Sequence, residues 1–315
     1  MKAVYLEKFG ATDVLKYGDL PDPEPGTGQV LVEVHACSLN PLDWKLRKGT
    51  FKFMTGRKFP KVLGADFSGV VSKIGQDVTY FKKGDAVFGG VNIMFGKMGA
   101  NAELVVVSEK HIAAKPENIT FEEAAAIPVG GLTAFQSMKK IQSKPSDKVL
   151  INGASGGVGV FALQLAKMYG AEVTAVCGST SIEFVKSLGA DLVIDYKKDD
   201  FTQQDRSYDL IFDAHGTLRW NVVKKSLLPN GIFISTLPSP GVILGKISSK
   251  LLGGKKIILA SVRNNPEDLS ALAELVGAKK IKVPIQQTFS LRDTQAAHDM
   301  LEKGGVKGKL VIKVK

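Results

Sequence analysis

Seven residues, Gly153-Ala154-Ser155-Gly156-Gly157-Val158-Gly159, stand between the apolar run Lys148-Val149-Leu150-Ile151-Asn152 and an amphipathic stretch that reaches Tyr169. A chain carrying this order must turn a strand directly into a helix. Gly156 lets backbone approach a pyrophosphate, Gly159 permits close helix packing, and the helix N-terminus offers free N–H donors at a positive dipole end. The context makes the heptad a nucleotide site. It departs from the commonest fingerprint at Ala154, where that fingerprint has its first glycine.

The second strand of such a unit normally ends in a carboxylate, about 20 residues on, that holds the adenosine ribose of NAD. Here the strand Ala171-Glu172-Val173-Thr174-Ala175-Val176 runs into Cys177-Gly178-Ser179-Thr180-Ser181 with no acid. Small hydroxyls in a tight turn hydrogen-bond a ribose 2′-phosphate, whereas a carboxylate repels it, so the segment favours NADP(H). The turn has no arginine, and Lys186 falls on the following helix.

The chain alternates apolar runs with turn signals up to residue 122, as in Gln29–Ala36, Gly69–Gly75 and Ala102–Val107, which reads as a β-rich domain. From Phe121 the period changes. A helix beginning near Thr120 is followed by six apolar strands, Val149–Asn152, Val173–Cys177, Leu192–Asp195, Leu210–Asp213, Ile232–Thr236 and Ile257–Val262, with crossovers between them. The expected architecture is α/β: a doubly wound parallel sheet over residues 123–282, a β-rich domain over 1–122, and a segment 283–315 that returns to the first domain. The stretch from Leu237 to Lys256, with its prolines and glycines among Val242, Ile243 and Leu244, is open between a lid, a membrane-touching loop and an ordinary connection.

At 315 residues, 44% hydrophobic and 23% charged, the composition is that of a soluble enzyme with two cores. No apolar run approaches the ~18 residues of a membrane span, and the chain enters a strand pattern at Met1, so a cytoplasmic protein is expected. Cys37 and Cys177 are too few and too far apart for a disulfide framework or a thiol metal site, and read as small buried hydrophobes. The net charge of +11 suits a polyanionic cofactor, nucleic acid or an anionic membrane. Much of it lies between Trp44 and Lys61, where Lys45, Arg47, Lys48, Lys52, Arg57, Lys58 and Lys61 alternate with Phe51, Phe53 and Phe59. Such a stretch is either a single-strand nucleic-acid platform or, more commonly, a solvated loop around an apolar anchor.

Several landmarks occur in one order along nearly the whole chain: Ser38-Leu39-Asn40-Pro41-Leu42-Asp43-Trp44-Lys45, Ala65-Asp66-Phe67-Ser68-Gly69, Phe81-Lys82-Lys83-Gly84-Asp85, Ala124-Ala125-Ala126-Ile127-Pro128, Gly131-Leu132-Thr133-Ala134, the glycine heptad and Gly308-Lys309-Leu310-Val311. With them the chain resembles the medium-chain dehydrogenase/reductase superfamily in its zinc-independent quinone oxidoreductase branch, notably the chloroplast envelope quinone oxidoreductase-like and enone oxidoreductase group. The resemblance implies a Rossmann domain beside a GroES-like catalytic domain, with the active site in the cleft between them, and a homodimer. The apolar strand Lys256–Val262 at a sheet edge fits such a dimer. For NADPH the resemblance implies contacts from Lys45, Thr133, Ser155, Gly156, Gly157, Val158, Ser179, Thr180, Tyr196, Leu237 and Lys309. His215, after the strand ending at Asp213, falls where the cofactor passes.

Zinc-containing relatives carry a Cys three residues before the position of Asp43 and a His after that of Gly64. Here those positions are Asn40 and Ala65, and residues 88–110 lack the cysteines of the structural zinc lobe, so no metal is expected. His35 and His111 read as structural strand residues, and His298 as a surface residue of a late helix. Without a Lewis acid, hydride delivery to an already electrophilic carbon of a quinone or enone is the chemistry that fits. Lys45 is the candidate catalytic donor to the developing enolate oxygen, and Asn40 and Asp43 are expected to fix its loop. The competing reading is an NADPH-binding protein acting through its basic surface on RNA or an anionic membrane.

Overall fold

The computed structural model describes residues 1–56, 58–95, 98–141, 147–252 and 254–315; Arg57 and Gly253 lie outside them. Two compact units emerge, Met1–Val129 with Arg263–Lys279 and Ile285–Lys315, and Gly130–Val262 with Lys280–Pro284. The first begins with β1 (Lys2–Leu6), β2 (Leu15–Asp19), β3 (Gln29–Ser38), α1 (Pro41–Arg47), α2 (Lys52–Thr55), β4 (Lys61–Val62), β5 (Asp66–Ile74), β6 (Ala86–Gly90), β7 (Leu104–Ser108), β8 (Ile112–Ala114) and α3 (Phe121–Ala125). The long strand β3 pairs antiparallel with both β5 and β7. Its Val30, Val32 and Val34 alternate into the core, meeting Phe67, Val71, Val87 and Ile112. Cys37 and Cys177 are buried free thiols, as read from their number and spacing.

The second unit holds most of α4 (Pro128–Ile141), then β9 (Lys148–Asn152), α5 (Gly159–Met168), β10 (Glu172–Cys177), α6 (Ile182–Ser187), β11 (Leu192–Asp195), β12 (Tyr208–Asp213), α7 (Trp220–Val223), β13 (Leu227–Ser235), α8 (Pro240–Leu252) and β14 (Lys256–Leu259). All six expected strands form. They make one parallel sheet in the order β11-β10-β9-β12-β13-β14. Val149, Leu150 and Ile151 are fully buried in succession, as in a strand covered on both faces. The chain reverses its winding between β9 and β12, so the loops after these two strands lie side by side at their carboxyl ends, where such sheets bind ligands.

The stretch left open between Leu237 and Lys256 contains the helix α8. Pro240 sits in its first turn, where proline costs no hydrogen bond. Gly245 lets the helix close on the sheet: a Cβ there would lie 2.4 Å from the Trp220 ring and 2.7 Å from Ile257. The chain then forms α9 (Pro266–Gly277), β15 (Ile285–Ser290), α10 (Thr294–Lys303) and β16 (Lys309–Lys313), all in the first unit. α9 is capped by Asn265, whose side chain accepts the Asp268 N–H at 2.7 Å. It packs against β8, and the Asn118 amide donates to the Gly277 carbonyl at 2.8 Å.

Two histidines depart from expectation. His111 belongs to a 3-10 turn, Glu109–His111, before β8. His298 is fully buried instead of lying on the surface. With Thr294 and Ala297 it occupies the i, i+3, i+4 stripe of α10 that faces the core, and neither ring nitrogen has a hydrogen-bond partner in the protein. Burial, and secondly the Arg47 guanidinium, push its pKa down to about 3. An unfolded histidine titrates near ~6.5, so in the interval the unfolded chain binds the extra proton; stability is full above that pH and is lost as pH falls toward 3. Asp43 runs oppositely, because burial pushes its carboxyl up to about 6 and the folded chain keeps the proton longer. Denaturant titrations at stepped pH should show His298→Phe losing much less stability than the wild type between pH ~6.5 and ~3. Parallel curves for the two proteins would contradict this assignment.

Candidate active site

In the second unit the glycine loop is built so that its backbone faces outward. Gly153 takes φ +74°, and the Gly153 and Ala154 N–H groups both donate to the Val176 carbonyl at 3.1 Å. Ala154 is buried and fits where the commoner fingerprint has glycine. Gly159 opens α5 in a space that excludes any side chain, since a Cβ would lie 2.1 Å from the Gly153 oxygen. Gly130 of α4 is equally tight, a Cβ there falling 2.4 Å from the Gly157 oxygen, and buried Thr133 follows one turn later. At Gly156 the nearest atom to a Cβ, the Gly153 oxygen, is 3.5 Å away. The concavity therefore belongs to whatever lies on Ser155–Val158, and the ten-residue helix behind it supplies the donors of an anion site. A dinucleotide pyrophosphate fits this cradle.

Asp213, buried at the end of β12, fixes the neighbouring loop. Its carboxylate accepts the Asn152 amide at 2.8 Å and the Gly216 and Leu218 N–H groups at 2.9 and 2.8 Å. His215 is thereby held exposed against Gly153, whose Cβ would lie 3.0 Å from that of His215, and Leu237 closes on Gly216. The structure thus gathers Ser155–Val158, His215 and Leu237 at the carboxyl ends of β9, β12 and β13.

Ser179 and Thr180 lie exposed beyond β10, and the Tyr196 hydroxyl would stand 3.4 Å from a Cβ on Gly178. They meet a carboxylate that inspection of the second strand alone does not reveal. Asp195 ends the adjacent β11 in register with Cys177 and accepts the Ser179 hydroxyl at 2.5 Å, a bond that holds its pKa below the usual carboxylate range. Lys197 and Lys198 follow it and contribute the same direction of shift.

The first unit holds a buried polar knot. Asp66, with no exposed surface, takes four donors: Ser38 Oγ at 2.9 Å, Asn40 Nδ2 at 2.8 Å, the Val129 N–H at 2.9 Å and Lys309 Nζ at 3.3 Å. Lys309, itself 2% exposed, also donates to Asn40 Oδ1 at 2.7 Å. Asp43 joins from α1, accepting the Asn40 N–H at 2.8 Å and the Gly64 N–H at 2.9 Å, so Asn40 and Asp43 do fix this loop. These residues do not fit a catalytic zinc. Asn40 is consumed by Asp66 and an ammonium, Ala65 has no donor, and among the described residues no group of three or more His, Cys, Asp or Glu could hold a metal.

Lys45 rides on the helix that this knot fixes. It is half-buried, burial lowers its ammonium pKa, and its Nζ lies 5.6 Å from the Trp44 ring centre. Its basic neighbours are mostly engaged: Arg47 is buried against Glu302, Lys48 also pairs with Glu302, and Lys61 donates to the Thr55 carbonyl at 2.9 Å. Phe51 and Phe59 pack on the core and only Phe53 projects, so the stretch lacks the successive exposed rings of a stacking platform.

Comparison with known proteins agrees with both halves of this geometry. The family described as alcohol dehydrogenase GroES-like domain matches residues 26–117, and the one described as zinc-binding dehydrogenase matches residues 188–312. A quinone-oxidoreductase of Triphysaria versicolor, QR1, is 38% identical, with 99% of this chain and 98% of that protein covered. The chain belongs to the medium-chain dehydrogenase/reductase superfamily, in its quinone oxidoreductase branch. It is therefore an oxidoreductase using a nicotinamide dinucleotide. A 2-methylene-furan-3-one reductase of Solanum lycopersicum is 35% identical over 99% of this chain and 79% of that one. The quinone oxidoreductase of Escherichia coli, solved with NADPH, superposes with a TM-score of 0.87 at 26% identity, both chains fully covered.

The two glycines of the cradle separate folding from binding. Gly159→Val should cost about 3 kcal/mol or more of stability, because backbone cannot retreat from the new side chain. Gly156→Val should fold with a thermal midpoint close to the wild type yet lose at least about tenfold in dinucleotide affinity, as read by fluorescence titration. Unimpaired binding by the folded Gly156 variant would remove the loop from the cofactor site.

Proposed function

We propose that this oxidoreductase uses NADPH, without zinc, to reduce quinones and α,β-unsaturated carbonyl compounds. The observation that carries the reading is the Lys309 ammonium lodged against Asp66 and against Asn40, the residue at the position where zinc-containing relatives carry a cysteine ligand. A site with an ammonium against that residue polarises no alcohol, so it suits a substrate carbon that conjugation has already made electrophilic. The names of the two relatives, one a quinone oxidoreductase and one a reductase of an enone, support the same chemistry.

When bound, the nicotinamide supplies the hydride. The chain supplies the rest. The glycine loop and the N-terminus of α5 hold the pyrophosphate, His215 and Leu237 border the cradle, and buried Thr133 belongs to the same nicotinamide side. Lys45 is the donor to the substrate oxygen as negative charge develops there. Among the described residues it forms no salt bridge, and its partial burial eases release of a proton. Lys309 acts behind it by fixing Asn40, and so the start of α1. The open edge of β14 completes the proposal as the surface through which a homodimer forms.

Cofactor choice is set at the ends of β10 and β11. The hydroxyls of Ser179 and Thr180 and the ammonium groups of Lys197 and Lys198 favour the 2′-phosphate, and Asp195 opposes it. NADPH should be preferred to NADH by at least tenfold in kcat/KM, about 1.4 kcal/mol. Ser179→Asp should erode that preference and Asp195→Asn should widen it. Equal use of both cofactors by the wild type would refute the assignment.

An NADPH-oxidation screen of quinones, enals and enones tests the reaction class, and Lys45 variants test the mechanism. Lys45→Ala and Lys45→Met should each lower kcat by roughly tenfold to a thousandfold with little change in NADPH affinity, because one electrostatic donor to the transition state is lost. The methionine keeps the packing of the stem, so any difference between the two variants measures packing. If kcat stays at the wild-type value in both, Lys45 has no part in the reaction.

A further inference from the structure

Two asparagines stand side by side where the chain passes from β14 to α9, and only one of them is accounted for. Asn265 caps α9. Asn264, just before it, has its Oδ1 buried with no hydrogen-bond partner in the protein. A buried acceptor left without a donor is costly, so its retention calls for a reason. The first unit makes room for this amide. A Cβ on Gly90 would lie 2.6 Å from both Oδ1 and Nδ2 of Asn264 and 2.8 Å from its Cγ. Gly90 ends β6 without the positive φ that would require glycine, so its missing side chain serves the asparagine. In the sheet Gly90 pairs directly with Asp66. Paired residues project to the same face with Cβ positions roughly 5 Å apart, which sets the Asn264 amide beside the knot of Asp66, Asn40 and Lys309. Its mount is fixed, because α9 packs on β8 while Asn265 and Asn118 hold the two ends of the helix. Along the chain, Asn264 follows shortly after Leu259, the carboxyl end of β14, which is the end at which this parallel sheet carries the glycine cradle.

We infer that Asn264 orients the nicotinamide of the bound dinucleotide, its side-chain carbonyl accepting an N–H of the carboxamide. The inference rests on the dinucleotide reading above and on which partner carries a donor. The quinones and enones of the proposed reaction present carbonyl oxygens, which are acceptors and leave Oδ1 unpaired. The carboxamide of the nicotinamide carries an NH2 group and satisfies it. A carboxamide held in this way keeps the ring from turning over about its glycosidic bond, so one ring face is presented to the substrate. Asn264 is thus a cofactor-orienting residue, distinct from Lys45, which acts on the substrate oxygen.

Titration calorimetry with three ligands tests the inference. They are NADPH, its 3-acetylpyridine analogue, in which a methyl ketone replaces the carboxamide and removes the N–H donors, and 2′-phospho-ADP-ribose, which lacks the nicotinamide. Wild-type protein should bind NADPH at least about tenfold more tightly than the analogue. Asn264→Leu should bind NADPH about tenfold more weakly than the wild type, no better than it binds the analogue, and keep the wild-type affinity for 2′-phospho-ADP-ribose. Its thermal midpoint should equal or exceed that of the wild type, because an unpaired amide gives way to an apolar group of similar size. Gly90→Ala, which denies the amide its seat, should reproduce the loss of NADPH affinity, and it decides the matter if Asn264→Leu does not fold. Equal wild-type affinity for NADPH and the analogue overturns the inference. So does unchanged NADPH binding by the variants, and so does an equal loss for NADPH and 2′-phospho-ADP-ribose, which makes Asn264 a structural residue only. Wild-type protein that binds none of the three ligands refutes the dinucleotide reading itself, and this inference with it.

Discussion

The carboxylate of Asp66 is the constraint on which the first unit turns. A fully buried carboxylate demands compensation, and here it comes from four points of the chain: Ser38 at the end of β3, Asn40 just after it, the Val129 N–H at the start of α4, and Lys309 in the last strand. Removing one partner of such a pair typically costs about 3–5 kcal/mol, since the other charge stays buried. The same knot sets the start of α1 through Asn40 and Asp43, and α1 carries Lys45. Charge burial in the core and position of the proposed donor are thus one problem with one solution. Asn40, at the position where zinc-containing relatives carry a cysteine, is spent on this ammonium and on Asp66.

The second unit solves a related problem without a buried cation. Asp213 is equally buried, yet its partners are one side-chain amide and two backbone N–H groups. That choice ties the loop bearing His215 to β9. Steric exclusion at Gly159 and Gly130, against open space at Gly156, then shapes a cradle for a phosphate-bearing ligand. Packing determines the wall, and the helix behind it determines the sign of charge that the wall accepts.

Much of this was legible in the residues. Strands buried on both faces are continuous apolar runs, so β9 to β14 announce themselves, and the glycine heptad fixes where the ligand lies. Local pattern fails where the partner is remote. Nothing near Lys309 points to Asp66, 243 residues away, and Asp195 escapes notice because it stands on β11 while the fingerprint directs attention to the end of β10. His298 is a different case. The spacing of Thr294, Ala297, His298 and Leu301 is a core stripe, and the polarity of the imidazole hid a burial that helical periodicity implies. Helix α8 was obscured by prolines and glycines whose positions, in the first turn and at a close contact, do not oppose a helix.

The central claim is that an ammonium-filled knot replaces metal in an NADPH-dependent reductase. Elemental analysis of the purified protein, made alongside enone turnover in a strong chelator, addresses it directly. The account predicts far less than one zinc per chain and undiminished turnover. Stoichiometric zinc whose removal abolishes activity would contradict it.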